Sequence, residues 1–302
     1  MRVSTIPLRA FSGLPGSRSR RLRAGAGPLW AAVSVAWLLC APGAGADPAQ
    51  EAALLSLWAR HAADPDDHAG LAAACESFVE RYEGAPLTLL ARGLQGWHLL
   101  KAGQPEAAAQ VLERVLEEAG DGPAEGAAGA QLLRAAAADV ARSWLTRMDR
   151  EQVKQALRAY YLRQIAYPES LDAVWSLPEA RGGPATDRWG HAWSYRPVGF
   201  QGLVGLRGQR YELRSPILGP DSDLQRALAR PYGADMAIEP AGTGVGPDRE
   251  TVRFTRKRAD GGRTDLFLRV GTTGDGILFC YRGPRILVLS DRTYWKVFPA
   301  RD

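Results

Sequence analysis

Cysteine and histidine, the residues that build disulfides and most transition-metal sites, are scarce in this sequence. Its 302 residues include 3 cysteines and 4 histidines. Outside the N-terminal segment only Cys75 and Cys280 remain, and we expect both to be buried single thiols. A disulfide between these two residues is the alternative in an oxidising compartment. No pair has metal-ligand spacing, because the histidines are scattered, at His61, His68, His98 and His191.

Catalytic signatures are also lacking. The sequence contains no G-x-S-x-G, no H-E-x-x-H, no phosphate loop and no dinucleotide-binding motif. We therefore expect a protein that is not an enzyme. Because catalytic triads assemble from residues that are distant in sequence, a hydrolase using Asp187, His191 and Ser194 stays open as an alternative. The favoured interpretation of this segment is a turn made by Asp187 and Gly190, with packed aromatic neighbours.

An excess of positive charge is absent once the N-terminus is set aside. The whole chain has a formal net charge of +5, with 38 basic and 33 acidic residues. Six arginines and no acidic residue precede Asp47, so the remaining chain carries 32 basic and 33 acidic residues. Nucleic-acid binding by a basic surface therefore loses its main support.

Residues 1–46 have the organisation of a secretory signal peptide. A basic region ends at Arg23, an apolar run extends from Pro28 to Cys40, and Ala44-Gly45-Ala46 closes the segment. This order predicts cleavage and a periplasmic or exported protein. The alternative is an uncleaved segment that anchors the chain in the inner membrane, because residues 24–46 carry no charge.

Residues 47–148 are rich in alanine and leucine and are punctuated by glycine and proline. This pattern predicts helical hairpins. A shift of 34 residues superposes Ala74 on Ala108 and Phe78 on Leu112. The repeat is degenerate, but it resembles the tetratricopeptide repeat, in which helix pairs stack into an array.

The resemblance to a tetratricopeptide array implies a concave groove that binds a peptide or helix of a partner. Arg92 and Trp97 are the groove-facing candidates for partner binding. The alternative is that so few repeat units serve as a packing platform for the next domain, since at least three repeats are normally needed for an independent array.

Residues 149–229 predict a domain that mixes helices and strands. Asp149 and Gln152 form a capping pair at the start of a helix that ends at Tyr167-Pro168. A short helix and two short strands are predicted to follow, at Glu169–Leu177, Trp193–Arg196 and Arg210–Arg214.

Aromatic, glycine and acidic residues then follow one another in a recognisable order. The order is helix, Tyr-Pro, small helix, Asp-x-Trp-Gly, aromatic strand and Tyr-x-Leu-x-Ser-x-x-x-Gly-x-Asp. It is formed by Tyr167, Pro168, Leu171, Asp187, Trp189, Gly190, Trp193, Tyr195, Tyr211, Leu213, Ser215, Gly219 and Asp221. Residues 150–224 therefore resemble the C-terminal globular domain of the type II secretion major pseudopilin. The departures are Gln164-Ile165-Ala166 in place of Asn-Gly, Arg188 in place of proline, and a shorter loop after Asp221.

The resemblance implies a calcium site, because the late Gly-x-Asp loop of that family binds calcium. Asp221 matches one such position, and Asp223 is close enough in sequence to assist. Calcium takes six to eight oxygen ligands, whereas this shortened loop has few further acidic groups. The alternative role of Asp223 is to cap a helix at Leu224–Ala229.

The C-terminal region predicts a linker at 230–248 and a small antiparallel β domain at 249–302. Five strands are predicted at Thr251–Arg256, Asp265–Val270, Ile277–Tyr281, Ile286–Leu289 and Thr293–Phe298. Their order also resembles the periplasmic homology domain of type II secretion inner-membrane clamp proteins.

The sequence as a whole predicts a multidomain protein of α followed by α+β class. We expect a non-enzymatic periplasmic structural or adaptor protein that is associated with a type II secretion or pilus-type assembly and binds protein partners. The chain is not expected to polymerise as a pilin, because a helical repeat region replaces the long hydrophobic helix that opens with phenylalanine and a buried glutamate. The alternative function is a general peptide- or protein-binding tetratricopeptide module of the bacterial cell envelope.

Overall fold

The computed structural model describes residues 47–120, 128–177, 183–198, 210–243, 250–258 and 260–300. Helices occupy the N-terminal half and antiparallel sheets follow in the C-terminal half, as the predicted order of α then α+β requires. The predicted signal peptide lies outside the described residues. None of the helices in these ranges combines the length and the apolarity needed to cross a bilayer.

The described helices run in sequence from the N-terminal array to a short helix before the last sheets. They are α1 (Pro48–Ala63), α2 (His68–Arg81), α3 (Thr88–Lys101), α4 (Pro105–Gly120), α5 (Ala128–Gln164), α6 (Asp172–Trp175) and α7 (Leu224–Leu228). The strands are β1 (Ser194–Val198), β2 (Arg210–Arg214), β3 (Ile238–Thr243), β4 (Val252–Lys257), β5 (Arg263–Leu268), β6 (Thr273–Gly274), β7 (Ile277–Arg282), β8 (Ile286–Ser290) and β9 (Trp295–Pro299). They form three antiparallel sheets, β1-β2, β3-β4-β5 and β6-β7-β8-β9.

Local signals explain the ends of the first helices. The Asp47 carboxylate accepts a hydrogen bond from the Ala49 backbone N–H at 2.9 Å, and Asp67 does the same for Gly70 at 3.0 Å. These side chains cap α1 and α2, because the first amides of a helix have no partner inside it. Gly103 ends α3 with a φ of +74°, which a glycine adopts at little cost. The predicted helical hairpins are therefore present between Pro48 and Gly120.

Helix α5 is a single helix of 37 residues that passes through the predicted boundary at Asp149. The predicted cap at Asp149 is wrong, because this carboxylate bonds the Arg188 side chain instead, with Oδ2 2.5 Å from Nε. The helix also ends before Tyr167. Ile165 takes a left-handed backbone with a φ of +56°, which interrupts the helix three residues ahead of Pro168.

The C-terminal half of α5 packs against α6 and the β1-β2 hairpin. A cluster of apolar side chains fills the space between them: Val153, Ala156, Leu157, Val174, Trp193 and Leu213. Strand β1 pairs with β2 in the register Ser194 to Arg214. The helix, small helix and hairpin occur in the predicted order, although the loop between the two strands lies largely outside the described residues.

The described part of the predicted linker at 230–248, from Arg230 to Thr243, contributes to the core, and residues 244–248 lie outside the described residues. Tyr232, Met236 and Ile238 are buried, and β3 pairs with β4. An unstructured linker is the wrong description of the part from Arg230 to Thr243, because its apolar side chains pack against the last sheet. The five strands predicted beyond it are confirmed within two residues at each end.

One continuous core joins the helices α1–α5 to the strands β3–β9. Trp58 of α1 lies 5.2 Å from Trp295 of β9, measured between ring centroids. Cys75 and Cys280 are both buried and free in this core, and burial raises the pKa of each thiol to about 12. The expectation of buried single thiols is therefore confirmed.

Candidate functional site

Helix α3 lies at the centre of the helical array and is covered on both sides. It packs against α2, α4 and α5. Two glycines make the close approach possible. A Cβ atom at Gly96 would lie 2.8 Å from the Leu112 side chain of α4, and one at Gly93 would lie 3.4 Å from the Trp295 indole nitrogen. We call the two surfaces of the array the inner face, toward the last sheet, and the outer groove, between α2, α3 and α4.

The inner face is formed by residues of α1, α3 and α5 that contact the C-terminal half: Glu51, Trp58, Gly93, Trp97 and Trp144. The ring of Trp97 lies 5.2 Å from that of Tyr232, and only 2% of its surface is exposed. The prediction that Trp97 faces a partner-binding groove is therefore corrected. The chain's own C-terminal half covers this face, as the packing-platform alternative requires.

Glu51 links α1 to the last sheet through hydrogen bonds of its side chain. Its buried carboxylate accepts a hydrogen bond from the Tyr281 hydroxyl at 2.7 Å and another from the Arg285 backbone N–H at 2.7 Å. Hydrogen bonds to a charged acceptor are stronger than those between neutral groups, especially away from water. The inner face is thus held by apolar packing and by a satisfied buried charge.

The outer groove is open and has a volume of about 400 Å³. Three glutamates line one wall, which we call the α2 wall: Glu76 and Glu80 lie one helical turn apart on α2, and Glu83 lies just after the end of this helix. The remaining polar residues that line it come from α3 and α4: Arg92, Gln95 and Arg114. The helical spacing of the glutamates was visible in the sequence, whereas their meeting with α3 and α4 depends on helix packing.

Arg92 lines the outer groove, where the sequence placed it as a partner-binding candidate. Its side chain forms an ion pair with Glu118 of α4 and is 9% exposed as a residue. The positive charge of Arg92 is therefore already balanced by the protein. Whether this residue contacts a partner stays a prediction.

The other polar groups of the outer groove have no such balance. In the described part of the chain, no ion pair or hydrogen bond joins Glu76, Glu80, Glu83 or Arg114 to another side chain. Gln95 is 9% exposed and lines the groove, and its amide makes no hydrogen bond to any described residue. The Gln95 amide therefore faces the open groove with no partner among the described residues, and it is free to bind a ligand.

The alternative hydrolase residues are not assembled as a triad. Asp187 Oδ1 accepts hydrogen bonds from the backbone N–H groups of Trp189 and His191, at 3.0 and 2.9 Å, and Oδ2 accepts one from the Ser215 hydroxyl at 2.7 Å. His191 Nδ1 lies 3.5 Å from Asp187 Oδ1. Within the described ranges no hydrogen bond joins Ser194 to His191. Asp187 therefore organises a turn and its neighbours, which is the role that the sequence favoured.

Asp221 and Asp223, the predicted calcium ligands, lie among arginines. Asp223 Oδ1 caps α7 by accepting from the Arg226 backbone N–H at 2.9 Å, and Oδ2 pairs with Arg150 at 2.8 Å. The Asp221 carbonyl accepts from Arg147 Nε at 2.8 Å. These contacts occupy the carboxylate of Asp223, whereas the carboxylate of Asp221 is largely exposed, so calcium binding stays a prediction. No set of three or more acidic, histidine or cysteine side chains in the described ranges is placed to hold a metal.

Arg188 joins the helical array to the turn at Asp187. Its guanidinium pairs with Asp149 of α5 and, through Nη1 at 2.6 Å, with Glu113 of α4. Asp149 is buried, so a partner cation balances a charge that burial would otherwise penalise. The position where the sequence departs from the pseudopilin pattern is thus a contact between the two regions.

Three histidines that are scattered in the sequence form a chain behind the inner face. His68 Nδ1 lies 3.1 Å from His98 Nδ1, and His98 Nε2 lies 3.2 Å from His61 Nδ1. Burial, together with the neighbouring histidine rings, lowers the pKa of His61 to about 4 and that of His98 to about 3. Both contacts between neutral rings are compatible with one donor and one acceptor in each pair. The spacing of the histidines in the sequence did not indicate these contacts.

The geometry leaves the outer groove as the open polar surface best suited to a ligand. Comparison with known protein families, curated proteins and solved structures finds no match to this chain. The assignment of function therefore depends on the residues themselves.

Proposed function

We propose that the protein is a non-enzymatic adaptor of the bacterial cell envelope that binds a protein partner in the outer groove. The association that we propose is with a type II secretion or pilus-type assembly. The groove is the observation that carries the first part. It combines unpaired charges of both signs with the side-chain amide of Gln95, which faces the groove and has no partner among the described residues.

The resemblance of residues 150–224 to the major pseudopilin supports the second part of the proposal. The long helix α5, the small helix α6 and the β1-β2 hairpin follow one another in the order of that domain. We also propose that α1–α4 are degenerate tetratricopeptide units and that the last sheets are related to the clamp-protein homology domain. A shared fold is weaker evidence for function than a shared site, so the groove remains the primary argument.

The covered inner face favours a rigid adaptor. Because the C-terminal half already occupies the side of the array where repeats usually bind their partners, a partner must use another surface. The outer groove lies on the opposite side of α3 and is formed by helices α2 and α4 together with it. We propose a periplasmic or exported location, with an uncleaved membrane anchor as the alternative.

Site-specific photo-crosslinking in the native host tests the proposal. Gln110 lines the outer groove and is exposed, whereas Gln155 is exposed on α5 away from it. A benzoylphenylalanine at position 110 is expected to capture a partner, and the same residue at position 155 is the matched control. Mass spectrometry would identify the captured protein and the N-terminal peptide of the chain itself.

The outcomes separate the two parts of the proposal. Capture of a secretion or pilus component from position 110 alone supports the whole proposal. Capture of an unrelated envelope protein supports the alternative, a general binding module. Equal labelling from both positions, or none from position 110, would show that the groove is not a partner site.

A further inference from the structure

We infer that the outer groove takes an extended peptide segment whose lysine or arginine side chain lies against the α2 wall. This inference rests on the proposed function and names the chemistry of the partner. It depends on the wall of glutamates, the amide of Gln95 and the position of Arg114, which are three separate features of one cavity.

The charge of the α2 wall selects a cation. Glu76 and Glu80 are one helical turn apart, and like charges at this spacing repel one another. Glu83 adds a third carboxylate, and none of the three has an ion-pair partner within the described ranges. Arg92 does not compensate them, because its guanidinium pairs with Glu118. A cationic side chain of a ligand placed here would form ion pairs with carboxylates that have no cationic partner in the described protein.

The amide of Gln95 selects a peptide rather than a free cation. A glutamine amide has two N–H donors and a carbonyl acceptor, which complement the C=O and N–H groups of a peptide backbone. Gln95 is nine-tenths buried and lines the groove, yet none of the described residues satisfies its amide. A small polyamine would match the glutamates but has no carbonyl acceptor to offer the N–H groups of Gln95.

Arg114 gives the bound segment a direction. It lies on α4, across the groove from the glutamate wall, and it is exposed with no ionic partner among the described residues. A carboxylate or backbone carbonyl of the peptide would face this guanidinium while the cationic side chain faces α2. The cavity of about 400 Å³ is in the usual range of roughly 300–1,000 Å³ for ligand sites.

Selection of random dodecapeptides on phage against the full purified protein tests the inference. Selected peptides would be labelled with fluorescein and their dissociation constants measured by fluorescence polarisation. The groove variant carries E76Q, E80Q and E83Q. The control variant carries E106Q, E117Q and E169Q, which make the same change of charge at exposed positions that do not line the groove.

We expect lysine or arginine to be enriched in the selected peptides. Their dissociation constants should rise about tenfold in the groove variant, because several charge pairs contribute together. The control variant should bind within about twofold of the wild-type protein, since its charges lie outside the site. Q95L should also weaken binding about tenfold while the preference for a basic residue persists, because the amide and the carboxylates bind different parts of the peptide. Melting temperatures of all variants would show that they remain folded.

The other outcomes overturn the inference in distinguishable ways. Peptides that bind in the groove without an enriched basic residue would disprove the cationic chemistry and leave the proposed binding function standing. If no selected peptide depends on the groove, the inference fails, and the crosslink from position 110 then decides whether the proposed function fails with it.

Discussion

Arg92 and Trp97 lie five residues apart on α3, yet the protein uses the two sides of this helix in opposite ways. The side of Trp97 is closed by Tyr232 and Trp295, which come from the far end of the chain. The side of Arg92 opens into a groove with unpaired charges. The comparison teaches that one surface of a packed helix can be covered by the chain's own distant residues while the other surface stays open.

The inner face should account for much of the stability, and truncation of Trp97 is the strongest test. Trp97→Ala is expected to lower the free energy of unfolding by about 3–5 kcal/mol, because it leaves a cavity among aromatic rings. Arg92→Ala is the comparison variant, with an expected loss of about 1 kcal/mol, because Glu118 stays partly exposed to water. Urea unfolding would measure both. Equal losses would contradict the division between the two sides of α3.

Acid should lower the free energy of unfolding, because it protonates the buried histidines next to the inner face. The pKa values of His61 and His98 are lower in the folded protein than in the unfolded chain, so the unfolded chain binds more protons below about pH 6.5. Their contribution is complete above that pH and is lost as the pH falls toward about 4. Between pH 7 and pH 5 we expect a loss of about 2 kcal/mol in the free energy of unfolding for each of the two histidines, and about 4 kcal/mol for both.

Urea midpoints at pH 7, 6 and 5 measure this loss. His61→Gln should make the dependence on pH shallower, because it removes one buried titrating ring. His191→Gln changes an exposed histidine and should leave it unaltered. A free energy of unfolding that is constant from pH 7 to pH 5 would contradict the expected cost of protonating the chain of histidines.

The two glycines of α3 allow a finer comparison of its sides. Gly96→Ala is expected to cost about 1–2 kcal/mol, because a methyl group 2.8 Å from Leu112 overpacks the contact with α4. Gly93→Ala should be neutral or should stabilise by about 0.5 kcal/mol, because 3.4 Å is an ordinary contact and alanine favours the helix. Thermal unfolding would measure both variants. A larger loss at Gly93 would mean that the inner face is packed more tightly than the α3–α4 contact.

The smallest expected effect lies outside both sides of α3. Ile165 is exposed and has a φ of +56°, a conformation that a β-branched residue adopts with strain. Ile165→Asn should stabilise the protein by about 0.5–1 kcal/mol, because asparagine tolerates this region of backbone space. The rise in melting temperature is the measurement, and Leu162→Asn, at an exposed helical position, is the control that should bring no gain.

Sequence patterns with a short range predicted much of the secondary structure. Alternating apolar residues between glycine turns predicted the five C-terminal strands. Segments rich in alanine and leucine, punctuated by glycine and proline, predicted the helical hairpins. The pattern at Asp149 and Gln152 wrongly predicted the start of a helix, because α5 continues through both residues. Arg188, which is distant in sequence, is the partner of the Asp149 carboxylate instead. Local propensity is a weak guide wherever tertiary contacts satisfy the same group.

The candidate site could be predicted only in part from the sequence, because tertiary contacts decide which of its residues are covered. The resemblance to a helical repeat placed Arg92 at a groove, and the four-residue spacing of Glu76 and Glu80 places both on one side of α2. The burial of Trp97 could not be inferred, because the residues that cover it are Tyr232 and the last strands. The contacts among His61, His68 and His98 required the packing of three helices.

The contact between Glu51 and Tyr281 also sets the order in which the protein can be completed. The two residues are 230 positions apart, so α1 leaves the ribosome long before the strand that satisfies its carboxylate. Until then the apolar side of α1 and the charge of Glu51 remain in water or in contact with a chaperone. In a chain that stops short of β7, α1 would therefore lack both the hydroxyl of Tyr281 and the amide of Arg285 as partners for its buried carboxylate.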